Sequence, residues 1–353
     1  MSHSSQSDSS RADDRYSRQI RFAPIGQEGQ RSLSESCVAV VGMGALGSVA
    51  AQHLVRSGVG CVRIIDRDVL ERSNLQRQVL YTEEDVSLAL PKAEAAAAHL
   101  RAINSSVRIE STVADLTSAN ADALLAGADL IVDGSDNFSV RYLMNDYSLK
   151  HHIPWIYGGV IGASGMTMTY IPGETACFRC LFPNPPAAGA VDTCDTAGVI
   201  SPAVDIVASL QAAEALKWLS GNRAALHGTL FQIDLWQHRW MPLKTDGSKR
   251  ADCPACAKRD FTFLEHGHPE TAALSLCGRN TIQISPQSTL SLSLDELEKR
   301  LGRIGRVERN PFLLRYHRDD HHLIVIFPDG RALIQGTEDP ITARRIYTEI
   351  LGN

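Results

Sequence analysis

Two short cysteine pairs lie far apart in this chain of 353 residues: Cys177 with Cys180, and Cys253 with Cys256. Thiolate sulfur is a preferred ligand of zinc, and four cysteines make a closed tetrahedral site that leaves no position open for chemistry. The two C-x-x-C spacings therefore predict a structural zinc ion. A fifth cysteine, Cys194, lies between the pairs and is a candidate reactive thiol.

The surroundings of Cys194 leave its role open. It follows residues 182–192, a stretch rich in proline, alanine and glycine that predicts a flexible loop. Asp192 and Asp195 lie beside it, and neighbouring carboxylates raise the pKa of a thiol and leave less thiolate to attack. A catalytic thiol and an idle loop thiol both fit this setting.

A glycine-rich turn follows the first predicted strand, with glycines at Gly42, Gly44 and Gly47. Such a turn presents backbone N–H groups and a helix N-terminus to a phosphate. Asp66 ends the next predicted strand, where a carboxylate can accept hydrogen bonds from ribose hydroxyls. These features alone fit NAD or FAD as well as ATP.

The segment after Asp66 favours a triphosphate. Residues 67–78 are rich in arginine and amide side chains, and arginine binds phosphate oxygens in a bidentate manner. A dehydrogenase has no evident need for such a loop. Lys92 adds a cation at the start of a predicted helix, and Asp136, just past a strand end, is placed to hold Mg²⁺.

The elements that position these residues alternate between strand and helix. Strands are predicted at residues 36–41, 61–65, 107–112 and 129–133, and helices at 45–57, 91–103, 119–126 and 137–151. This order predicts a Rossmann-like, doubly wound α/β fold with a mostly parallel sheet. Further strands at 155–157 and 164–171 predict an antiparallel extension. A helix at 201–219 is expected to have Ser201 as its N-cap.

The two ends of the chain differ from this pattern. Residues 1–14 are rich in Ser and Asp and predict a disordered tail, without the apolar region of a signal peptide. Residues 15–265 are expected to form one domain. Residues 272–353 follow the order β-α-β-β-β-α, which predicts a small α+β domain whose role the sequence does not reveal.

The composition restricts the classes of function. The net charge of −5 argues against nucleic acid as the main ligand, because domains that neutralise phosphates are usually basic. No apolar run reaches the roughly 20 residues that a membrane span requires. Eight cysteines without an export signal predict a reducing compartment, and hence the cytoplasm.

Together these residues closely resemble the ThiF/MoeB/HesA family of ubiquitin-activating-enzyme-like adenylyltransferases. The resemblance extends from about Arg15 to Cys256. It rests on the segments Arg15–Gln19, Gly42–Gly47, Ser73–Gln78, Pro91–Lys92, Asp136–Asn137 and Thr193–Gly198, and on both cysteine pairs. The family binds ATP with Mg²⁺ and adenylates the C-terminal glycine carboxylate of a ubiquitin-like sulfur carrier protein, releasing pyrophosphate.

The resemblance also implies which residues contact the nucleotide. The ribose is expected to bind Asp66, the phosphates Asn74, Arg77 and Lys92, and the magnesium ion Asp136. The whole expected nucleotide set is Gly42, Gly44, Ala45, Gly47, Asp66, Asp68, Asn74, Arg77, Lys92, Asp136 and Asn137.

The remaining expected catalytic residues are Arg18 and Cys194. Arg18 matches an arginine that the family supplies to the triphosphate from the partner subunit, which implies a homodimer. Cys194 matches a cysteine of the crossover loop, which takes part in sulfur transfer in some relatives and is dispensable in others.

The resemblance is sharpest to family members that carry a C-terminal extension. It implies a ThiS-type carrier and the thiazole half of thiamine biosynthesis, with a MoaD-type carrier for molybdopterin as the alternative. The tail segment 277–281 does not match a rhodanese active-site loop, so a separate sulfur donor such as a cysteine desulfurase is expected. Activation of a carboxylate on tRNA, a non-catalytic binding module and an NAD oxidoreductase are the competing functions.

Overall fold

A computed structural model describes residues 15–185, 194–266, 273–276, 280–286 and 290–352. The chain divides into two compact units. Among the described residues, the first unit contains 15–86 and 91–266, and the second contains 87–90 together with those from 273 onward.

The first unit is built on an eight-stranded sheet with the order β3-β2-β1-β4-β5-β6-β7-β8. Its strands are β1 (Cys37–Val41), β2 (Cys61–Ile65), β3 (Arg108–Thr112), β4 (Leu130–Asp133), β5 (Trp155–Ile161), β6 (Ser164–Tyr170), β7 (Thr229–Asp234) and β8 (Arg239–Lys244). Neighbours from β3 to β5 are parallel, and those from β5 to β8 are antiparallel. The predicted doubly wound sheet with its antiparallel extension is therefore confirmed.

Helices connect and cover these strands. They are α1 (Ser17–Ile20), α2 (Gly26–Glu35), α3 (Ala45–Arg56), α4 (Glu83–Ser87), α5 (Lys92–Ile103), α6 (Ala121–Leu125), α7 (Phe138–His151), α8 (Phe178–Leu181), α9 (Cys194–Ala197), α10 (Ser201–Leu219) and α11 (Thr262–Glu265). Strands β1 and β4 are buried on both faces, which explains their continuous apolar sequences.

The predicted N-cap of α10 is wrong. Ile200, and not Ser201, occupies the N-cap of α10, and Ser201 is the first helical residue, with no capping bond from a side chain. The physical reason lies in the backbone before the helix. Ile200 donates its N–H to the carbonyl of Gly162 at 3.0 Å, which holds it in an extended conformation.

The second unit has an antiparallel sheet with the order β11-β12-β13-β14-β10-β9. Its elements are β9 (Ala273–Leu276), β10 (Thr281–Ile284), α12 (Leu294–Leu301), β11 (Arg306–Arg309), β12 (Leu314–His317), β13 (Leu323–Ile326), β14 (Ala332–Gln335) and α13 (Pro340–Leu351). Apolar residues of both helices and five strands form one core, which agrees with the predicted α+β class.

Within the described ranges, no helix combines the length and the apolar character that crossing a membrane requires.

Candidate functional site

The candidate site lies where the strand order of the first sheet reverses, between β1 and β4. In open α/β sheets this is where a crevice forms beyond the carboxyl ends of the strands. Gly42 follows β1 and Gly134 follows β4, and the two backbones approach so closely that a Cβ built on Gly42 lies 2.6 Å from the Gly134 oxygen. Gly42 also has a φ of +89°. Only glycine fits here.

Gly47, in the first turn of α3, allows this helix to pack against the loop. A Cβ on Gly47 would lie 1.8 Å from the carbonyl oxygen of Gly42. The glycine-rich turn thus brings the start of α3, at Ala45, to the edge of the sheet, where helix N–H groups can bind an anion.

We expect Gly47→Ala to destabilise the fold by about 2–4 kcal/mol, because a clash with backbone atoms can be relieved only by displacing the loop. Urea unfolding measures the loss. The matched control is Gly44→Ala, since a Cβ at Gly44 meets no atom closer than 3.8 Å. Equal stability of the Gly47→Ala variant and the natural protein would contradict this packing role.

Asp66 fixes the loops around the crevice with its carboxylate. It accepts hydrogen bonds from the backbone N–H of Met43 at 2.6 Å and of Asp68 at 2.7 Å. Burial raises the pKa of Asp66, while the charge of Lys92 opposes this shift. The predicted ribose ligand therefore lies at the crevice and also holds the glycine-rich turn in place.

Lys92, the first residue of α5, forms a buried ion pair with Asp68 across an Nζ–Oδ2 distance of 2.8 Å. Its side chain is 3% exposed. Arg67 pairs with Asp115 at 2.8 Å. Burial disfavours the Arg67 charge, but Asp115, Asp68 and Asp136 nevertheless raise the pKa of this guanidinium. Both cations are thus held in place by carboxylates.

Two buried amides at this site have unsatisfied atoms. Asn74 is 1% exposed, and its Oδ1 accepts from the N–H of Glu71, but its Nδ2 has no hydrogen-bond partner among the described residues. Gln78 is 3% exposed, and its Oε1 likewise lacks a partner in the part of the chain that the structure describes. Buried polar atoms without partners are costly, and such atoms in a crevice fit a polar ligand such as a nucleotide.

Gln78 is absent from the site residues predicted above. Its Nε2 would lie 3.8 Å from a Cβ on Gly44, which places the amide beside the glycine-rich turn. Gln78 belongs to the Ser73–Gln78 segment, which the sequence already marked as important. The burial of its side chain beside the glycine-rich turn could not be predicted from the sequence.

A buried ion pair supports the turn that carries Asp136. Asp133 accepts from Arg141 Nε at 2.9 Å and from the Ser135 N–H at 2.9 Å, and Arg141 also donates to the carbonyl oxygen of Gly158 at 3.0 Å. Burial raises the pKa of Asp133, and Arg141 opposes the shift. Asp136 itself is exposed.

The residue beside Asp136 has a structural role. Asn137 is the N-cap of α7, and its Oδ1 accepts from the Ser139 N–H at 2.8 Å. A capping role for Asp136, which its position after a strand would also allow, is therefore filled by its neighbour.

The other predicted catalytic residues are less enclosed. Arg77 is partly exposed and donates to the Ser73 carbonyl at 3.0 Å, within the Ser73–Gln78 segment. Arg18 is exposed on α1. Cys194 begins α9, but its side chain lies outside the described residues.

The four cysteines of the two pairs meet in space, as predicted. The Sγ–Sγ distances are 3.8 Å for Cys177–Cys180, 3.7 Å for Cys177–Cys253 and 3.5 Å for Cys180–Cys256, and all four sulfurs lie within 4.8 Å. A tetrahedron with Zn–S bonds of about 2.3 Å has edges of about 3.8 Å. The cluster therefore has the dimensions of a closed zinc site.

The electrostatics of the cluster also favour a cation. Burial and the neighbouring thiols raise the pKa of Cys177 well above its usual range, and burial and Cys180 raise that of Cys256 to about 12. The backbone N–H of Arg250 donates to the Cys180 sulfur at 3.4 Å. Four thiolates can coexist here only with a bound cation, so these residues fit Zn²⁺.

Comparisons with known proteins identify the family of the chain. The profile of the ThiF family matches residues 16–255. Over 339 residues the chain is 46% identical to the "Sulfur carrier protein ThiS adenylyltransferase" of Bacillus subtilis, covering 96% of this chain and 99% of the relative. It is 43% identical over 248 residues to the "Sulfur carrier protein adenylyltransferase" of Thermus thermophilus, covering 69% of this chain and 90% of the relative.

A solved structure shares the fold. The chain superimposes on a crystal structure of Escherichia coli MccB with ATP at a TM-score of 0.60, with 23% sequence identity, over 69% of this chain and 74% of MccB.

Proposed function

This chain belongs to the ThiF family, and from that premise we propose that it adenylates the C-terminal glycine carboxylate of a ThiS-type sulfur carrier protein. ATP is the donor and pyrophosphate the leaving group, and the product serves sulfur transfer in thiazole biosynthesis. The observation that carries this proposal is the similarity over almost the entire length to the Bacillus ThiS adenylyltransferase.

The chemistry requires charge neutralisation more than proton transfer. A carrier carboxylate oxygen attacks the α-phosphorus of ATP, and the bond from this phosphorus to the bridging oxygen of pyrophosphate breaks. The attacking carboxylate is already ionised, so no general base is needed. Positioned cations and N–H donors are the groups that lower such a barrier.

The residues of the crevice can provide these groups. Lys92 is held by Asp68, and within the described ranges the buried Nδ2 donor of Asn74 has no partner, so both are preorganised for phosphate oxygens. Arg77 adds a cation from the same segment as Asn74. Donors fixed before the ligand arrives stabilise developing charge without the cost of reorganisation.

Magnesium would be held by Asp136, whose exposed carboxylate follows the turn fixed by Asp133 and Arg141. Oxygen ligands of this type suit Mg²⁺, which usually keeps several waters and binds phosphates as well. When bound, the ion neutralises charge on the triphosphate.

The proposal also includes a homodimer and a separate source of sulfur. Arg18 would act on the triphosphate of the partner subunit in a homodimer, which its exposed position permits. A separate protein, such as a cysteine desulfurase, would supply the sulfur. The four cysteines would bind a structural zinc ion, and the reaction would take place in the cytoplasm.

ATP–pyrophosphate exchange with a ThiS-type and a MoaD-type carrier, assayed side by side, tests the proposal. Exchange with the ThiS-type carrier alone supports it. Exchange with the MoaD-type carrier alone would indicate a function in molybdopterin biosynthesis. Exchange with both carriers would indicate that the enzyme activates both. Exchange with neither contradicts the proposed substrate.

For Cys194 we expect a role after adenylation. Cys194→Ala should form the acyl-adenylate at an unchanged rate and slow sulfur transfer to the carrier by about tenfold or more, because the nucleophile that accepts the activated acyl group is lost. Single-turnover assays of pyrophosphate release and of carrier thiocarboxylate formation measure the two steps. Loss of the adenylation step itself would contradict this assignment.

A further inference from the structure

The second unit includes a short segment from the middle of the sequence. Residues 87–90 belong to it, although most of the unit comes from the C-terminal region. Asn310, in the turn between β11 and β12, donates from Nδ2 to the carbonyl oxygens of Leu88 at 3.1 Å and Ala89 at 3.0 Å. One side chain therefore fixes two successive peptide groups of this segment.

The Asn310 amide is itself held rigidly. Its Oδ1 accepts from the backbone N–H of Phe312 at 2.9 Å and of Leu313 at 3.0 Å. The backbone N–H of Asn310 donates to the Leu313 carbonyl at 3.1 Å. Leu313 is 1% exposed, so the turn is anchored in the packed unit. The orientation of Nδ2 is consequently set by the turn.

The segment held by Asn310 has a strained backbone. Ala89 is buried, with a φ of +49°, in the left-handed region that residues with a Cβ rarely adopt. Such a conformation persists only when the surrounding structure enforces it. The two hydrogen bonds from Asn310 help to hold Ala89 in this conformation.

This segment leads directly into the nucleotide site. Only Leu90 and Pro91 separate Ala89 from Lys92, and each residue spans at most about 3.6 Å of chain. Pro91 is the N-cap of α5, and the Lys92 N–H donates to the carbonyl of Asp68 at 2.8 Å. A shift of the peptide groups at 88 and 89 would therefore be transmitted through two residues to the start of this helix.

We propose that Asn310 is a positioning residue for ATP binding, which fixes Lys92 through the strained turn at Ala89. This assigns the C-terminal unit a role in adenylation, and it rests on the proposed function because Lys92 is taken to bind the triphosphate. Asn310 touches no reacting atom. It acts by holding the chain that presents the ammonium group.

Binding of Mg-ATP to the full-length protein without a carrier tests this role by calorimetry. Asn310→Ala should raise the Kd for Mg-ATP and the KM for ATP in pyrophosphate exchange by about tenfold, with a smaller change in kcat, because two hydrogen bonds that order the segment are lost. Ala89→Gly in the same background should recover part of the affinity, because glycine adopts the left-handed conformation without strain.

A matched control separates positioning from stability. Ile346→Val removes a methylene from the core of the same unit, where Ile346 is fully buried, and should lower the melting temperature without changing the Kd. An unchanged Kd and KM for a folded Asn310→Ala variant would overturn the proposal. Failure of the natural protein to bind Mg-ATP at all would overturn the proposed function, and this inference with it.

Discussion

Asp136→Ala is expected to lower carrier-dependent ATP–pyrophosphate exchange by about 10²–10³-fold, with Mg-ATP binding partly retained. Asp136 is exposed, and the turn before it is held by Asp133 and Arg141, so the substitution should leave the fold unchanged. The expected loss arises because the proposed oxygen ligand of the metal ion is removed, while Lys92 and Asn74, which we propose bind phosphate, remain.

Because Asp136 is exposed, another exposed aspartate serves as the control. Asp246→Ala changes another exposed aspartate, in a turn after β8, and should keep full activity. Exchange rates measured over a series of Mg²⁺ concentrations distinguish weakened metal binding from lost catalysis. Full activity of Asp136→Ala at low Mg²⁺ would refute the metal assignment.

Cys253→Ser is expected to abolish binding of the proposed zinc ion and to lower the free energy of unfolding by more than about 3 kcal/mol. Cys253 is fully buried and its sulfur lies 3.7 Å from that of Cys177, so serine at this position cannot complete a four-sulfur site. A structural metal contributes its binding energy to folding, which explains the expected loss.

Metal analysis of the purified protein, together with urea unfolding, checks this prediction. Cys37→Ala is the matched control, because Cys37 is a half-buried cysteine outside the cluster and should leave one zinc ion per chain. Stoichiometric zinc in the Cys253→Ser variant would show that Cys253 is not a ligand.

The sequence predicted those strands and helices in which the pattern of apolar residues matches the pattern of burial. The strand Cys61–Ile65 has the predicted bounds, since all its residues except Arg63 are apolar and buried. Strands β7 and β8 were not predicted. Nearly all of their residues are partly or fully exposed, so they lack the alternation that identifies a strand.

The sequence likewise predicted one part of the site and not another. The four cysteines were identified from their spacing alone, because two C-x-x-C pairs have few alternatives. The ion pair between Lys92 and Asp68 and the contact between Asn310 and Leu88 could not be predicted. The second joins residues 222 positions apart, and only the folded chain brings them together.

The proposed function requires the C-terminal glycine carboxylate of a sulfur carrier as the acceptor. Its most direct test is ATP–pyrophosphate exchange with a ThiS-type carrier in two forms, one with its natural C-terminus and one with that terminus amidated. We expect exchange with the natural form and none with the amidated form, which has no carboxylate to attack the α-phosphorus. Equal exchange with both forms, or exchange that needs no carrier, would contradict it.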